Sequence, residues 1–397
     1  MKVIYVSPVP LHSVAQRPQH FAYWLHQRFH ARVLWVETSP IRYPRWSDLS
    51  PASLVRHAFK RSGAGQAQSW VDEPWITSLR LAGLPFEPSR LGRRINRTAW
   101  RSFEAKVRYW LHQDHAIGDE SSKSWLVVGR PCDAALWLHQ CFPELPIFYD
   151  IMDDMAAFYE GASRRWVSEC DEAILEAAQA AMVSSNHLLE RYRERKSACF
   201  LVPNGLAMSP RYEAFNWGVL RSQGATINKS KDLVLGYIGA IAPWFDWSLV
   251  HRLRQQLVDE GFKRFKIVLI GPVHGDLPGD LPLDVEIKPA MPQELIWDAL
   301  ATFDIGLIPF KINELTASVD PVKYYEYRAA ALPILSSRFG DMALRNSDDG
   351  VYFFESMQAG SISIDSLLKE RKASHALDTA AMSWASRFEA VSTIFID

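Results

Sequence analysis

The stretch NELTASVDPVKYYEYRAAALP, from Asn313 to Pro333, holds the residues best spaced for chemistry. Asp320 is a good helix N-cap and Pro321 suits a first helical position, so a helix is expected to start there. Its first turn carries Lys323, and Glu326 follows three residues later on the same side. A cation at the positive end of a helix, with a carboxylate one turn deeper, suits a nucleoside diphosphate. Backbone N–H groups and Lys323 would neutralise the phosphates while Glu326 accepts hydrogen bonds from two ribose hydroxyls. The same spacing also reads as a capped helix with an i,i+3 salt bridge. Asp320 as the cap would occupy N–H groups and repel phosphate, which shifts the phosphate contact toward Lys323.

Other chemistries lack their signatures. No GxGxxG follows a strand, only Gly236-Tyr-Ile-Gly239, and there is no GxxxxGK[ST], which removes most of the case for NAD chemistry and P-loop phosphoryl transfer. The GxSxG elbow of serine hydrolases is missing as well. His26 and His30 stand at i,i+4 on an expected helix without an HExxH, so no metal is expected. Cys132, Cys141, Cys170 and Cys199 form no CxxC pair and read as reduced thiols.

The elements that must position these residues alternate between strand and helix. Met1–Val6 reads as a buried strand rather than a signal peptide, the segment from Pro18 to Phe29 as a helix, and Arg32–Glu37 as a second strand, a β-α-β unit that calls for a parallel sheet. Further strands are expected at Trp125–Val128, Ile147–Tyr149, Met182–Ser185 and Phe200–Val202. Helices are expected from Leu91 onward, over Ser168–Ala181 and, capped by Asn186, over Leu188–Arg195. The pattern restarts at residue 231, with strands at Leu233–Ile238, Lys266–Ile270, Asp304–Pro309 and Leu332–Ser336 and a last helix over Ala381–Phe395. Two α/β domains of similar kind follow from this order, consistent with 397 residues of which 48% are hydrophobic.

A net charge of −1 gives no basis for nucleic-acid binding, yet it hides an asymmetry. Residues 1–130 carry 19 Lys/Arg against 9 Asp/Glu, or +10, and the remainder carries −11. The excess lies in the Arg- and Trp-rich region 41–108, where an amphipathic helix from Leu91 reads either as a solvated face over a buried aromatic stripe or as contact with an anionic membrane. No run of 18 apolar residues is present to span a bilayer.

Taken in order, RPQHFAYWL from Arg17, YDIMDD from Tyr149, VSSNHLLERY from Val183, VPNG from Val202, GYIGAIAPWFDW from Gly236, IGLIPF from Ile305 and DPVKYYEYRAAALPILSS from Asp320 resemble the GT-B glycosyltransferases. Within these they look like the GT4-like group that assembles bacterial surface polysaccharides. The resemblance implies an α/β fold of two Rossmann-like domains facing across a cleft, with a C-terminal helix crossing back to the N-terminal domain. It places the acceptor domain at 1–210, the nucleotide-sugar domain at 211–377 and the crossing helix at 378–397. The donor set it implies is Lys323, Glu326, Gly239, Tyr324, Asp320 and Thr316. Two positions depart from the family. Ser318 stands where the first glutamate of its E-x7-E pair would be, and the loop Gly239–Asp246 has no Arg or Lys.

Asp150, Asp153 and Asp154 follow a strand end, and in inverting members of the fold a base at this position removes the acceptor hydroxyl proton. Asp153 is the expected base, with Asp154 second; capping by Asp150 or Asp153 with Asp154 in solvent is the plain alternative, and a metal site like the DxD of GT-A enzymes is a third. Arg17 and His20 at the start of the first helix, together with Trp244, are expected on the acceptor side or in the cleft, unless Arg17 is bound to a carboxylate of the 150–154 loop. The expectation is a cytoplasmic enzyme, with peripheral contact at the inner membrane face through the basic region as one reading, that needs no cofactor or metal. It would move a sugar from a nucleotide-diphosphate donor to a glycan or lipid-linked glycan acceptor, with inversion. The alternatives are a sugar-nucleotide 2-epimerase and a catalytically inactive scaffold in a polysaccharide assembly complex.

Overall fold

The computed structural model of the protein describes residues 1–38, 73–81, 83–84, 87–113, 123–208, 210–213, 217, 220, 232–358, 360–370 and 379–396. The part of the expected basic region at 41–72 lies outside them. Two compact units form, Met1–Val202 with Phe388–Asp397, and Pro203–Arg387. The first division falls at the VPNG turn, where the last strand of the first unit has just ended, rather than at residue 210.

The first unit is built on seven strands, β1 (Lys2–Ser7), β2 (Arg32–Thr38), β3 (Ile76–Leu81), β4 (Ser124–Val128), β5 (Ile147–Ile151), β6 (Ala178–Val183) and β7 (Cys199–Leu201). Their order is β3-β2-β1-β4-β5-β6-β7 and every pairing is parallel. Helices α1 (Arg17–Phe29), α2 (Arg90–His112), α3 (Asp133–Cys141), α4 (Gly161–Ala177) and α5 (Asn186–Arg193) connect them. Covered on both faces, the central strands can be apolar throughout, and β1 is buried at all six positions. In the second unit β8 (Leu233–Ile238), β9 (Phe265–Ile270), β10 (Val285–Lys288), β11 (Ile305–Ile308), β12 (Ile334–Ser336) and β13 (Val351–Phe353) take the order β10-β9-β8-β11-β12-β13. That is the Rossmann order, and its connecting helices include α6 (Trp247–Asp259), α7 (Gln293–Thr302) and α8 (Val322–Ala329).

Local differences from the sequence expectations have physical causes. The helix expected to run to Ala181 stops at Ala177, and Ala178 opens β6 by pairing with Ile147; ladder formation overrides the helical preference of an alanine-rich stretch. Ser185, not Asn186, caps α5, its hydroxyl accepting from the Leu188 N–H. Strands β3, β10 and β13 are edge strands outside the sequence expectations, and no continuous hydrophobic run marks β3 or β10. The last helix is only α9 (Trp384–Phe388), continued by a 3-10 segment over Glu389–Phe395. Phe395 packs on Phe21, Trp125 and Phe148 with ring centroids 4.9–6.1 Å apart, so this segment completes the core of the first unit.

Tyr327 fixes α8 to the sheet: its hydroxyl accepts from the Ile238 N–H at 2.9 Å, at the end of β8. Tyr327→Phe would leave that buried N–H without its partner, and a loss of about 1 kcal/mol is expected in urea unfolding.

Candidate functional sites

In the second unit the chain leaves β8 at Gly239, beside the point where strand order reverses between β8 and β11. Gly239 has φ +147°, and a Cβ there would lie 2.5 Å from Lys323 Cε and 2.8 Å from Nζ. Only glycine lets the lysine stem pass this close to the backbone. The Lys323 ammonium sits 5.3 Å from the Tyr237 ring centroid and 5.0 Å from that of Phe310, and among the described residues it has no hydrogen-bond or ion-pair partner. Burial pulls its pKa down to about 8, opposed by the nearby charge of Glu326.

Glu326, one turn further along α8, is buried and accepts a hydrogen bond from Gln293 Nε2 at 3.3 Å at the start of α7. Burial raises its carboxyl to about 6, opposed by Lys323 and Gln293. The two side chains thus share a site without closing the i,i+3 salt bridge. Asp320 is not the N-cap, because α8 starts one residue later than expected, with Pro321 in the cap position. Its carboxylate instead accepts from the Asn204 N–H at 2.9 Å, the Tyr325 hydroxyl at 2.8 Å and Arg345 at 2.6 Å. The helix start is therefore not blocked by an aspartate cap.

Thr316 is buried and spends its hydroxyl on Lys311 O and on a capping box with Asn313, which corrects its expected donor role to a structural one. Tyr324 is buried under Arg345, whose guanidinium carbon lies 3.6 Å from the ring centroid. Trp244 is half-buried and packs on the core of this same unit. Tyr237, Phe310 and Gln293 were not anticipated. Tyr237 could have been found as the aromatic preceding a strand-end glycine in GYIG.

In the first unit the end of β5 gathers the aspartates. Asp150 is fully buried, 2.8 Å from Arg17 Nε and 2.8 Å from the Tyr5 hydroxyl. Arg17 also donates to Val202 O, so it is held in a buried ion pair instead of being presented to an acceptor. Asp154 pairs with Arg191 at 2.6 Å, which weakens its case as a base. Asp153 is half-buried and makes no hydrogen bond or ion pair among the described residues; burial pushes its carboxyl up to about 7, with Arg17 opposing and Asp154 and Asp150 adding to the rise. His20 is pushed down to about 4 by burial, so its ring is neutral at pH 7.

No family model matches the chain. The Bacillus subtilis (strain 168) protein TuaH, provisionally named a teichuronic acid biosynthesis glycosyltransferase, is 26% identical over 208 residues. That match takes in 48% of this chain and 50% of TuaH, so the chain spans about half the length of the curated relative. Among solved structures, Anabaena HepE in complex with UDP and glucose aligns over 100% of both chains with a TM-score of 0.60 and 11% identity. The fold is GT-B. WaaG, a glycosyltransferase involved in lipopolysaccharide biosynthesis, aligns over 99% of this chain and 100% of its own with a TM-score of 0.56 and 11% identity. In GT-B terms, Asp153 belongs to the N-terminal Rossmann-like unit and the Lys323–Glu326 pair to the C-terminal one.

Proposed function

We propose that the protein is a glycosyltransferase of surface-polysaccharide synthesis. It takes a nucleoside-diphosphate sugar on its second unit and a glycan or lipid-linked glycan acceptor on its first. The observation that carries this reading is the Lys323 ammonium, facing the Tyr237 and Phe310 rings beside Gly239 without a hydrogen-bond or ion-pair partner among the described residues, with Glu326 one turn away. A diphosphate would give that cation its missing partner, and Glu326 would take the ribose hydroxyls. The bound UDP of HepE makes UDP the first donor nucleotide to test.

In the transfer step, Asp153 takes the acceptor hydroxyl proton as that oxygen bonds to the anomeric carbon. The bond from that carbon to the diphosphate oxygen breaks, and Lys323 meets the charge of the leaving group. The product anomer is inverted, which the coupling constant of its anomeric proton reports. Lys323 supplies the positive charge that a metal would otherwise provide, so EDTA is expected to leave UDP binding unchanged.

The test is calorimetric titration of the purified protein with UDP, GDP, dTDP, ADP and CMP. One diphosphate should bind well above the others; no binding by any of them overturns the donor reading. Sugar transfer with release of the diphosphate separates the enzyme from both an epimerase and an inactive scaffold. Affinity should also follow the lysine charge, holding near pH 7 and falling up to tenfold per unit above about 8, as Lys323 loses its proton.

The enzyme is further proposed to rest peripherally on an anionic cytoplasmic membrane face. No described helix is long and apolar enough to cross a membrane. On α2, Arg97 is turned to the buried Asp133 at 2.6 Å and Arg93 stacks on Trp166 at 3.8 Å, so these two leave the expected basic face. Arg90, Arg94, Arg101, Lys106 and Arg108 remain exposed beside Leu91 and Tyr109, which are 69% and 68% exposed. Cosedimentation with vesicles containing anionic lipid, and its loss on replacing Arg94, Arg101 and Lys106 with glutamine, is the expected result.

A further inference from the structure

The loop after β4 holds a cation that the transfer step above does not use. Arg130 follows Gly129 at the C-terminal end of β4, beside the strand-order reversal between β1 and β4, and is 8% exposed. Its Nη1 donates to Thr38 Oγ1 at 3.0 Å and its Nη2 to the Tyr159 hydroxyl at 3.5 Å. Nε is buried with no hydrogen-bond partner. No carboxylate among the described residues lies within ion-pair distance; Glu87 contributes only at longer range and is itself spent on the Asp133 N–H at 3.0 Å.

An arginine buried with hydroxyls in place of a counter-ion is costly, and such an arrangement persists where a ligand supplies the missing charge. The donors are alike in kind and are gathered around one guanidinium. Both hydroxyls accept from Arg130 and so keep their own protons to donate. With Nε–H, the cluster offers three N–H or O–H donors and one positive charge, drawn from the ends of β2 and β4 and from the segment after Asp153–Asp154. Three acceptor oxygens carrying negative charge are what a phosphate monoester presents.

We propose that Arg130, Thr38 and Tyr159 form a phosphate-binding subsite on the first unit that holds the phosphate of a phosphate-bearing acceptor. Its assignment to the acceptor rests on the glycosyltransferase reading, whereas phosphate binding at Arg130 does not. The site sits on the strand next to the one that presents Asp153, since β4 and β5 pair in parallel and both end at this edge. It would hold an acceptor by its charged end.

Dodecyl phosphate is the probe, titrated into the full chain with UDP in excess, against wild type, Arg130→Met, Arg130→Lys and Lys323→Met. Wild type and Lys323→Met are expected to bind it equally, Arg130→Lys more weakly, and Arg130→Met at least tenfold more weakly. Dodecyl glucoside, which has no phosphate, should bind none of them. Without ligand, Arg130→Met should unfold no earlier than wild type, because it removes an unpaired buried charge. A purely structural arginine would lower the midpoint. Equal dodecyl phosphate affinity in wild type and Arg130→Met overturns the subsite. Inorganic phosphate binding as tightly as dodecyl phosphate overturns its assignment to an acceptor. If UDP fails to bind, the donor reading falls and the Arg130 comparison, read without UDP, still stands or fails alone.

Discussion

Asp153→Asn is expected to lower turnover by roughly 10²- to 10⁴-fold, the range that general-base catalysis contributes, while leaving the UDP dissociation constant unchanged. Loss of turnover with intact binding follows because Asp153 belongs to the first unit and the Lys323 site to the second. Single-turnover kinetics beside a UDP titration measures the two quantities separately. Turnover near wild type would remove Asp153 from the mechanism. The carboxyl pKa of about 7 adds a signature in wild type: the rate should climb about tenfold per pH unit up to about 7 and then level, and this limb should vanish in the asparagine variant. Stability should move the other way. A carboxyl whose folded pKa is raised from 3.8 to about 7 binds its proton more tightly when folded, so raising the pH between those values destabilises the native state. At pH 8, Asp153→Asn is therefore expected to unfold at a higher temperature than wild type.

Lys323→Met is expected to weaken UDP binding by about 10- to 100-fold, the 1.5–3 kcal/mol range of a hydrogen bond to a charged group. Methionine keeps an apolar stem between Gly239 and the rings of Tyr237 and Phe310, so the change isolates the ammonium. Folding should not suffer, since the pKa of about 8 reports that the charge is poorly solvated where it stands. The pH dependence of UDP affinity above pH 8 should disappear with it. An unchanged dissociation constant would mean that α8 does not contact the diphosphate.

The central strands of both sheets were legible in the sequence because they are continuous apolar runs closed by Gly or Asp, as in Leu233–Ile238 before Gly239. The edge strand β3 was not: ITSLRL is exposed or half-exposed at its four central positions and carries no such run. In the candidate sites, Lys323 and Glu326 could be placed together by helical spacing alone. Spacing could not show that Asp320 would turn to Asn204, Tyr325 and Arg345, because Asn204 is distant in sequence. Arg17 shows the same limit. Its candidacy came from its place after the first strand, and its partner Asp150 is brought to it only by the sheet. The cation of the proposed donor site was visible as a residue type, whereas the aromatic cradle around it required the tertiary packing of Tyr237 and Phe310.

The segment Phe388–Asp397 belongs to the unit that the chain began, and Phe388, Val391 and Phe395 are buried in it. A ribosome that has released Val202 has therefore delivered every strand of the first sheet but not the rings that close its core. The first unit must remain open to solvent around Phe21, Trp24 and Phe148 until residue 395 emerges, 193 residues later than Val202. The second unit, contiguous from Pro203 to Arg387, has all its residues before that happens. Vectorial synthesis thus inverts the order in which these two units mature: the one made earlier is finished later, and its exposed aromatic face during that interval is where a holding chaperone would bind.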